Sequence, residues 1–407
     1  MSAAPYEPPS VSNPNVQRSR LACTLGYYAS LLSLGLSVAV LGPTLPDLAQ
    51  RTHTDMRKIS ILFTTLALGY MLGALQGGRW YDRLSGHTVL TGGILAMMLA
   101  MVLTPVMPSL WLLAAVMLVL GMGQGLVDGG SNTLLLWLHR EQAGPWMNGL
   151  HFCFGLGTLL APVVTAQVIV RLGDITWAYW ALAALMLPGA LWLLRLPSPA
   201  MPRSALAPLP GQEKRLLVIL LALFAALYVG AETGFGGWIF SYAVAWGLSD
   251  ASGAAYLTAA FWGSLTAGRL LAIAFATRLR PSTMMLANLV GCVASAGLLM
   301  LDTSSAVLMW TGTCSLGFSM ASVFPTILVF AERHIPITGQ VTGALLVGAS
   351  MGGMSLPWLI GQLFASRDPG VLPAAMMAVL IAAMAIFVVA MGWAARQPTT
   401  EKPSSKL

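Results

Sequence analysis

The sequence predicts an all-α integral membrane protein in which twelve transmembrane helices form two six-helix bundles and both termini are cytoplasmic. Three observations support this fold class. The 407 residues are 57% hydrophobic and only 9% charged, whereas soluble domains carry about 25% charged residues. The apolar residues form twelve runs, each near the roughly 20 residues that cross a bilayer. A polar segment rich in proline separates these runs into two sets of six.

The runs and the segments between them define the predicted organisation. The spans are residues 21–46, 59–78, 88–106, 109–138, 146–170, 175–195, 215–245, 253–276, 282–301, 305–331, 338–364 and 370–394. Proline and mixed charges make residues 196–214 a cytoplasmic linker. The predicted domains are a tail (1–20), an N-terminal bundle (21–195), the linker, a C-terminal bundle (215–394) and a second tail (395–407).

The distribution of Lys and Arg predicts the orientation. Of 21 such residues, fifteen lie on the side of the termini and one, Arg269, lies within a span. Basic residues accumulate on the cytoplasmic side of membrane proteins, so the termini are predicted to be cytoplasmic. The net charge of +7 follows from these loops and does not indicate nucleic-acid binding. Residues 1–20 lack the apolar core of a cleavable signal peptide.

Several classes of site are not expected from the sequence. The four cysteines fall in apolar segments without ligand spacing, so we expect neither a disulfide nor a metal site. The glycine clusters do not match a phosphate-binding loop, and we expect no nucleotide or other cofactor. No catalytic constellation of serine, cysteine or metal ligands is evident, and we do not expect an enzyme.

Asp128 is an ionisable residue inside a long apolar run, which marks a candidate functional site. A carboxylate at that depth costs at least ~2.5 kcal/mol. Gln124 and Asn132 lie four residues before and after it, on the same helix face. Such a stripe should face a cavity and not lipid. Asp128 is predicted to bind a coupling cation and, with Gln124 and Asn132, to help bind substrate; the alternative is a structural hydrogen bond between helices.

Glu232 and Arg269 are the other charges within spans. They lie in consecutive predicted helices, where pairing would offset part of the cost of burying each charge. The sequence leaves two interpretations open. One is a permanent bridge within the C-terminal bundle. The other is a substrate or coupling-ion site in which the pair breaks and reforms.

Four further residues are candidate substrate ligands. Asn148 and His151 lie near the start of the fifth span, where a histidine could titrate near neutral pH or could simply hold the helix. Trp238 and Trp262 could stack on the apolar face of a sugar, or could be packing and interfacial residues.

The two halves of the chain contain similar segments at corresponding positions. NTLLLWLHRE (132–141) and PTILVFAERH (325–334) each close the fourth span of their half. This indicates a duplication, which in transporters places the site where the halves meet. Together with the buried charges, it favours a secondary transporter.

The arrangement resembles the major facilitator superfamily. GGRWYDRLSGH (77–87) is similar to the signature loop of that superfamily after helix 2, with Gly78, Asp82 and Arg83 in matching positions. Gly86 comes one residue late, and His87-Thr88 replaces two basic residues. The resemblance implies a major facilitator fold and a gating role for this loop.

Longer strings resemble the sodium-dependent glucose transporter group and the related fucose/galactose/glucose–proton symporters. They are LGPTLPDLAQRTHT (41–54), LVDGGSNTLLLWL (126–138), GPWMNGLHFCFGLGTLLAP (144–162), YVGAETGFGGWIFSYAV (228–244) and FWGSLTAGRLL (261–271). Asp128 matches the acidic residue in helix 4 that is tied to proton coupling in the fucose symporters. Their second coupling carboxylate, in helix 1, has no counterpart around Leu41–Thr44, and Asp47 lies further out.

The expected function is cation-coupled uptake, with H⁺ or Na⁺, of a sugar or similar small polar solute by alternating access. Two alternatives remain open: proton-driven efflux of amphipathic compounds, and a non-transporting receptor or assembly subunit. We expect a monomer in a bacterial inner membrane, because the loops are compact and no N-glycosylation sequon is present.

Overall fold

The chain is almost entirely helical where its structure is described. The computed structural model describes residues 14–81, 83–139, 143–199, 212–276, 279–302, 305–335, 339–366 and 370–396. The helices are α1 (Pro14–Ala39), α2 (Leu41–Arg51), α3 (Met56–Ile59), α4 (Ile61–Tyr81), α5 (Gly86–Leu103), α6 (Leu110–His139), α7 (Ala143–Leu172), α8 (Ile175–Leu194), α9 (Gln212–Ala245), α10 (Ala251–Ala276), α11 (Pro281–Leu301), α12 (Ala306–Met320), α13 (Val323–His334), α14 (Gly339–Ser366) and α15 (Val371–Ala395).

Eleven helical segments in the described part of the chain are long and apolar enough to cross a membrane. The prediction of a multi-pass helical membrane protein is confirmed at that level. The eighth predicted span (253–276) coincides with α10, a 26-residue helix that is not among the eleven. Twelve crossings and cytoplasmic termini therefore stay predictions. Much of the linker (200–211) and most of both tails (1–13 and 397–407) lie outside the described residues.

Two predicted spans are broken helices, and proline explains both breaks. The first span divides at Val40 into α1 and α2, because Pro43 has no N–H to donate to the Ala39 carbonyl four residues earlier. The tenth divides at Ala321–Ser322 into α12 and α13, where Pro325 leaves the Ala321 carbonyl unbonded in the same way.

Glycines bring α4 and α6 into backbone contact. A Cβ at Gly69 or Gly73 would lie 2.1 Å from a carbonyl of α6, and one at Gly121 or Gly125 would lie 2.0 or 2.1 Å from a carbonyl of α4. Only glycine permits this approach, which membrane helices use for close packing. We call these four residues the glycine contact. Asp128 follows it by one turn.

Equivalent helix pairs of the two halves share this type of packing. The α1–α7 pair meets at Gly35 and Gly157, and its counterpart α9–α14 meets at Gly348 and Gly352, each with a Cβ position within 2.2 Å of a facing carbonyl. In α10–α12, the counterpart of α4–α6, a Cβ at Gly317 would lie 2.4 Å from the Phe261 carbonyl. This repetition is consistent with duplication.

The N-terminal half (α1–α8) and the C-terminal half (α9–α15) are joined tightly at the end where α3 lies. The Arg57 Nε donates to the Gln362 Oε1 at 2.7 Å, and the Gln362 Nε2 donates to the Arg57 carbonyl at 2.9 Å. The Thr64 hydroxyl of α4 donates to the Met354 carbonyl of α14 at 3.2 Å. A Cβ at Gly42 would lie 2.8 Å from the Gly236 carbonyl. These contacts close that end of the molecule.

The same helices separate toward the opposite end, where α6 ends and α7 begins. Leu75 lies three turns beyond Thr64 on the same face of α4 and is 61% exposed. Val347 lies two turns before Met354 on the matching face of α14 and is 37% exposed. Faces that touch near α3 are therefore uncovered here. We call the resulting space between the halves the central gap.

Acidic groups on the α3 side of the N-terminal half pair locally. Asp174 caps α8 and accepts from Arg51 at 2.6 Å. Hydrogen bonds from Thr176, aided by Arg51, lower the pKa of Asp174. Asp47 on α2 lies near the same two charges, and burial raises its pKa. Asp47, which lies just beyond the first predicted span (21–46), thus belongs to this local cluster.

Candidate functional site

Asp128 lies half-buried on α6 beside the central gap, with a hydrogen-bond donor on each carboxylate oxygen. The Tyr70 hydroxyl of α4 donates to Oδ2. The Asn132 Nδ2 donates to Oδ1 and to the Asp128 carbonyl, both at 2.9 Å. Donors on both oxygens stabilise the ionised carboxylate. The charge therefore faces polar partners, and the next residue, Gly129, is exposed.

The predicted polar stripe on this helix divides between two neighbours. Asn132 stays with Asp128, as the spacing predicts. Gln124 is buried and donates through Nε2 to the Ser37 hydroxyl of α1 at 3.0 Å. In this conformation Gln124 holds α6 to α1 and does not reach the central gap.

Glu232 and Arg269 form a loose pair in the C-terminal half. The Arg269 Nη2 and Glu232 Oε1 are 3.8 Å apart, with 21% and 12% of the side-chain surfaces exposed. This distance allows electrostatic attraction but exceeds the ~2.7–3.2 Å of an N–H···O hydrogen bond. The sequence left open whether the pair is a permanent bridge or a site in which the pair breaks and reforms. The two groups do pair, and at 3.8 Å the carboxylate and guanidinium keep hydrogen-bonding capacity.

The Arg269 guanidinium is held by both halves. Its Nε donates at 3.3 Å to the Ala321 carbonyl, the acceptor that Pro325 leaves free at the break between α12 and α13. Its charge lies 5.9 Å from the centre of the Phe154 ring on α7, a cation–π distance. Arg269 is therefore fixed at the boundary between the halves.

His151 lies between the two charged groups. Gly155 faces Thr266 and Leu159 faces Gly263 across the α7–α10 contact, and this antiparallel register places His151 level with Arg269. The imidazole is within electrostatic reach of both Asp128 and Arg269. His151 and Asn148 are both exposed and lie one turn apart on α7. Asp128, His151, Glu232 and Arg269 are thus brought together around one space.

The two candidate tryptophans are buried in this conformation. Trp238 has 0% exposure, donates through Nε1 to the Pro357 carbonyl at 2.9 Å, and packs on Phe63 and Phe364 at the closed α3 end. Trp262 is 4% exposed and lies against Gly236. Among the described residues its Nε1 has no hydrogen-bond partner. Neither indole presents a face to the central gap here.

The predicted gating loop is only partly described. Gly78 lies within α4 and Arg83 is exposed, while Asp82 lies outside the described residues. His87, which replaces a basic residue of the signature, is buried. Its ring nitrogens contact the Tyr27 hydroxyl at 2.8 Å and the Leu196 carbonyl at 3.0 Å. His87 therefore fastens the segment after α8 to α1.

Comparison with known proteins identifies the family. A family model described as Major Facilitator Superfamily matches residues 27–357. The chain belongs to the major facilitator superfamily. Within it, the chain is 32% identical over 374 residues to sodium-dependent glucose transporter 1A of Mus musculus, covering 83% of this chain and 88% of the relative. It is 31% identical over 373 residues to sodium-dependent glucose transporter 1 of Homo sapiens, covering 82% and 72%. The resemblance found in the sequence is confirmed.

Solved structures of two transporters share the fold. The D-xylose-proton symporter aligns with a TM-score of 0.72 and 13% identity, over 90% of this chain and 97% of that chain. The nucleoside transporter NupG aligns with a TM-score of 0.70 and 14% identity, over 93% and 100%. These likenesses show the fold. The family model and the sodium-dependent glucose transporter relatives indicate a membrane transporter rather than an enzyme.

Three groups at the candidate site were not predicted from the sequence. They are the Tyr70 hydroxyl, the Phe154 ring and the Ala321 carbonyl. Pro325 could have indicated that the Ala321 carbonyl is free, since a proline within an apolar run leaves the carbonyl four residues earlier without its helical hydrogen bond. Gly69, next to Tyr70, signalled a close helix contact. Nothing in the sequence indicated that the Phe154 ring would lie against the Arg269 guanidinium.

Proposed function

We propose that this transporter couples the uptake of a sugar or similar small polar solute to a cation, H⁺ or Na⁺, through Asp128. The observation that carries the proposal is a half-buried carboxylate beside the central gap, which has hydrogen-bond donors on both oxygens but no cationic partner at contact distance among the described residues. Such a group attracts a cation when the gap is open.

Alternating access supplies the reason for coupling. Before the gap can open at the α3 end it must close at the other, which removes water from the charges lining it. Glu232 and Arg269 offset each other, whereas Asp128 stays uncompensated. Enclosing an isolated ionised group is costly, so the transporter with solute bound resists closure until a cation neutralises Asp128. Solute and cation then cross together. In a variant of this scheme Glu232 contributes to the cation site.

The substrate site in this proposal lies between Glu232 and Arg269, with Asn148 and His151 facing it from the other half. A sugar hydroxyl can accept from the guanidinium and donate to the carboxylate, bridging the 3.8 Å between them. Asn132 lies beside Asp128, where solute and cation would meet. Trp238, Trp262 and Gln124 would join the site only if the α3 end opens.

The relatives favour this function over its alternatives. The two relatives named above have glucose in their names, which supports a sugar as the substrate. It argues against efflux of amphipathic compounds and against a non-transporting receptor or assembly subunit. We propose a monomer that needs no cofactor besides the coupling cation. The compact loops favour a bacterial inner membrane. The named relatives are from animals, so this part of the proposal rests on the sequence.

The proposal predicts cation-driven accumulation of solute in proteoliposomes. Labelled D-glucose is offered with an inward gradient of Na⁺, of H⁺ or of neither, and with D-xylose and uridine as competitors. With one cation per solute, a tenfold cation gradient supports about tenfold accumulation. Accumulation under one gradient, inhibited by sugars, is expected. Equilibration without accumulation under every gradient would contradict coupling.

Glu232→Gln distinguishes a substrate site from a structural bridge. The neutral amide still accepts a hydrogen bond from the solute but a weaker one, at a cost of about 1–1.5 kcal/mol, so the KM for solute exchange should rise roughly 5- to 12-fold while the melting temperature changes little. The control is the double variant with Arg269→Gln. If the pair is only structural, the single variant loses stability, the double variant regains it, and both keep the wild-type KM.

A further inference from the structure

Tyr70 is the group outside the predicted site that contacts Asp128 most directly. Its hydroxyl donates to Oδ2 of that carboxylate, while its backbone belongs to α4. We infer that Tyr70 is a positioning residue that stabilises the cation-free carboxylate and links the cation occupancy of Asp128 to the position of α4. The inference rests on the proposed coupling role of Asp128.

The backbone geometry makes the Tyr70–Asp128 pair rigid. A Cβ at Gly125 would lie 2.1 Å from the Tyr70 carbonyl, and one at Gly121 would lie 2.8 Å from the Tyr70 nitrogen. Tyr70 is therefore clamped against α6 within the glycine contact, one turn before Asp128. Two groups fixed on touching backbones cannot separate freely, so a change at the carboxylate must move the ring or the helix.

The same helix forms part of the closed end of the transporter. Thr64 lies on α4 less than two turns from Tyr70, and its hydroxyl donates to the Met354 carbonyl of α14 at 3.2 Å. Beyond Tyr70, Leu75 lies on the same face of α4 as Thr64 and is uncovered. Tyr70 thus lies between the stretch of α4 that touches the other half and the stretch that faces the central gap.

Cation binding would change the hydrogen bond that Tyr70 makes. In the cation-free site the phenol donates to an anionic oxygen, a charge-assisted bond stronger than a neutral one. A cation on the carboxylate, H⁺ or Na⁺, weakens that bond or reverses the role of the phenol. Tyr70 therefore favours cation release. Because Tyr70 belongs to α4, a change in this hydrogen bond acts on α4 where the two halves meet.

Tyr70→Phe removes the hydroxyl and keeps the ring. The cation-free state loses its donor, so cations should bind more tightly and leave more slowly. We expect the cation concentration for half-maximal net uptake to fall roughly tenfold. The ratio of net uptake to solute exchange should also fall, because exchange does not require cation release. Both are measured in proteoliposomes over a range of cation concentrations.

Tyr81→Phe is the matched control. Tyr81 is on the same helix, and its hydroxyl donates to the Leu126 carbonyl of α6 at 3.0 Å, so the variant removes a phenol bond from the same interface without touching Asp128. It should keep wild-type cation dependence. Equal cation dependence in both variants would overturn the inference, as would weaker cation binding in Tyr70→Phe, which would make Tyr70 a cation ligand.

Asp128→Asn separates this inference from the proposed function. If Asp128→Asn uncouples transport and Tyr70→Phe leaves cation dependence unchanged, the coupling role of Asp128 stands and the role of Tyr70 fails. If Asp128→Asn remains fully coupled, the proposed coupling role of Asp128 is wrong, and the inferred role of Tyr70, which rests on it, is wrong as well. Melting temperatures of all three variants in detergent report whether each one folds.

Discussion

Asp128→Asn is expected to abolish cation-driven accumulation of solute while exchange of solute across the membrane persists. Asn has the shape of Asp but no charge to be neutralised, so the gap can close without a cation. A tenfold inward cation gradient should then sustain an accumulation ratio of about one, where the coupled wild type reaches about ten. Uptake of labelled D-glucose in proteoliposomes, with and without the gradient, gives this ratio directly.

The side chains around Asp128 make this substitution interpretable. The Tyr70 hydroxyl can donate to the new amide oxygen as it does to Oδ2. The new amide nitrogen cannot accept from the Asn132 Nδ2 as Oδ1 does, so that hydrogen bond is lost while the shape of the side chain is kept. Asp174→Asn is a suitable control, because that carboxylate is paired with Arg51 away from the central gap. The coupling role would be refuted if Asp128→Asn accumulates solute as well as the control does.

Gly121→Leu is expected to prevent the N-terminal half from folding. A Cβ at Gly121 would lie 2.0 Å from the Leu66 carbonyl and 2.9 Å from the Leu66 carbonyl carbon, so the whole of α4 must move away from α6. Overpacking commonly costs ~1–3 kcal/mol of folding free energy. A clash against backbone atoms, which cannot change rotamer, should cost at least the upper value of that range. The yield of monodisperse protein and its melting temperature in detergent should both fall sharply.

Gly92→Leu is the comparison for this effect. Gly92 lies in α5, and a Cβ there meets nothing within 4 Å, so the same substitution adds the same apolar bulk without a clash. It should purify like the wild type. Equal losses in both variants would show that leucine is harmful for another reason and that the glycine contact is not what fixes α4 against α6.

The helices were predictable because their signal is local. Runs of apolar residues near bilayer length follow from the absence of water to satisfy the backbone, and the predicted spans coincide with long helices. The breaks at Val40 and Ala321 were not predicted, although Pro43 and Pro325 cause them. Each of these prolines leaves a backbone carbonyl without its helical N–H donor, and that carbonyl is free for another partner.

The site was predictable only as far as one helix determines it. Asp128 and Asn132 are on one face and do interact, because a spacing of four fixes their neighbourhood. Gln124 has the same spacing but turns to Ser37 of α1. Trp238 has the right chemistry for a sugar yet fills the closed α3 end. In both cases a neighbouring helix determines which contact the side chain makes. The periodicity of one helix carries no information about the position of its neighbour.

The meeting of Glu232, Arg269 and Phe154 depends on how the halves dock. Consecutive helices suggested that Glu232 and Arg269 could pair, and they lie 3.8 Å apart. The ring beneath Arg269 comes from the other half, through the register that Gly155 and Gly263 set between α7 and α10. Small residues mark such a contact in the sequence, but they do not specify its partner.

Solute-induced cation flux is the most direct measurement of the central claim, that Asp128 links one flux to the other. Coupling free energy is reciprocal, so an inward gradient of D-glucose alone must drive cations into proteoliposomes that have no cation gradient. We predict glucose-dependent entry of Na⁺ or H⁺ with the wild type and none with Asp128→Asn. Glucose entry without cation movement in the wild type, or equal cation entry in the variant, would contradict the account.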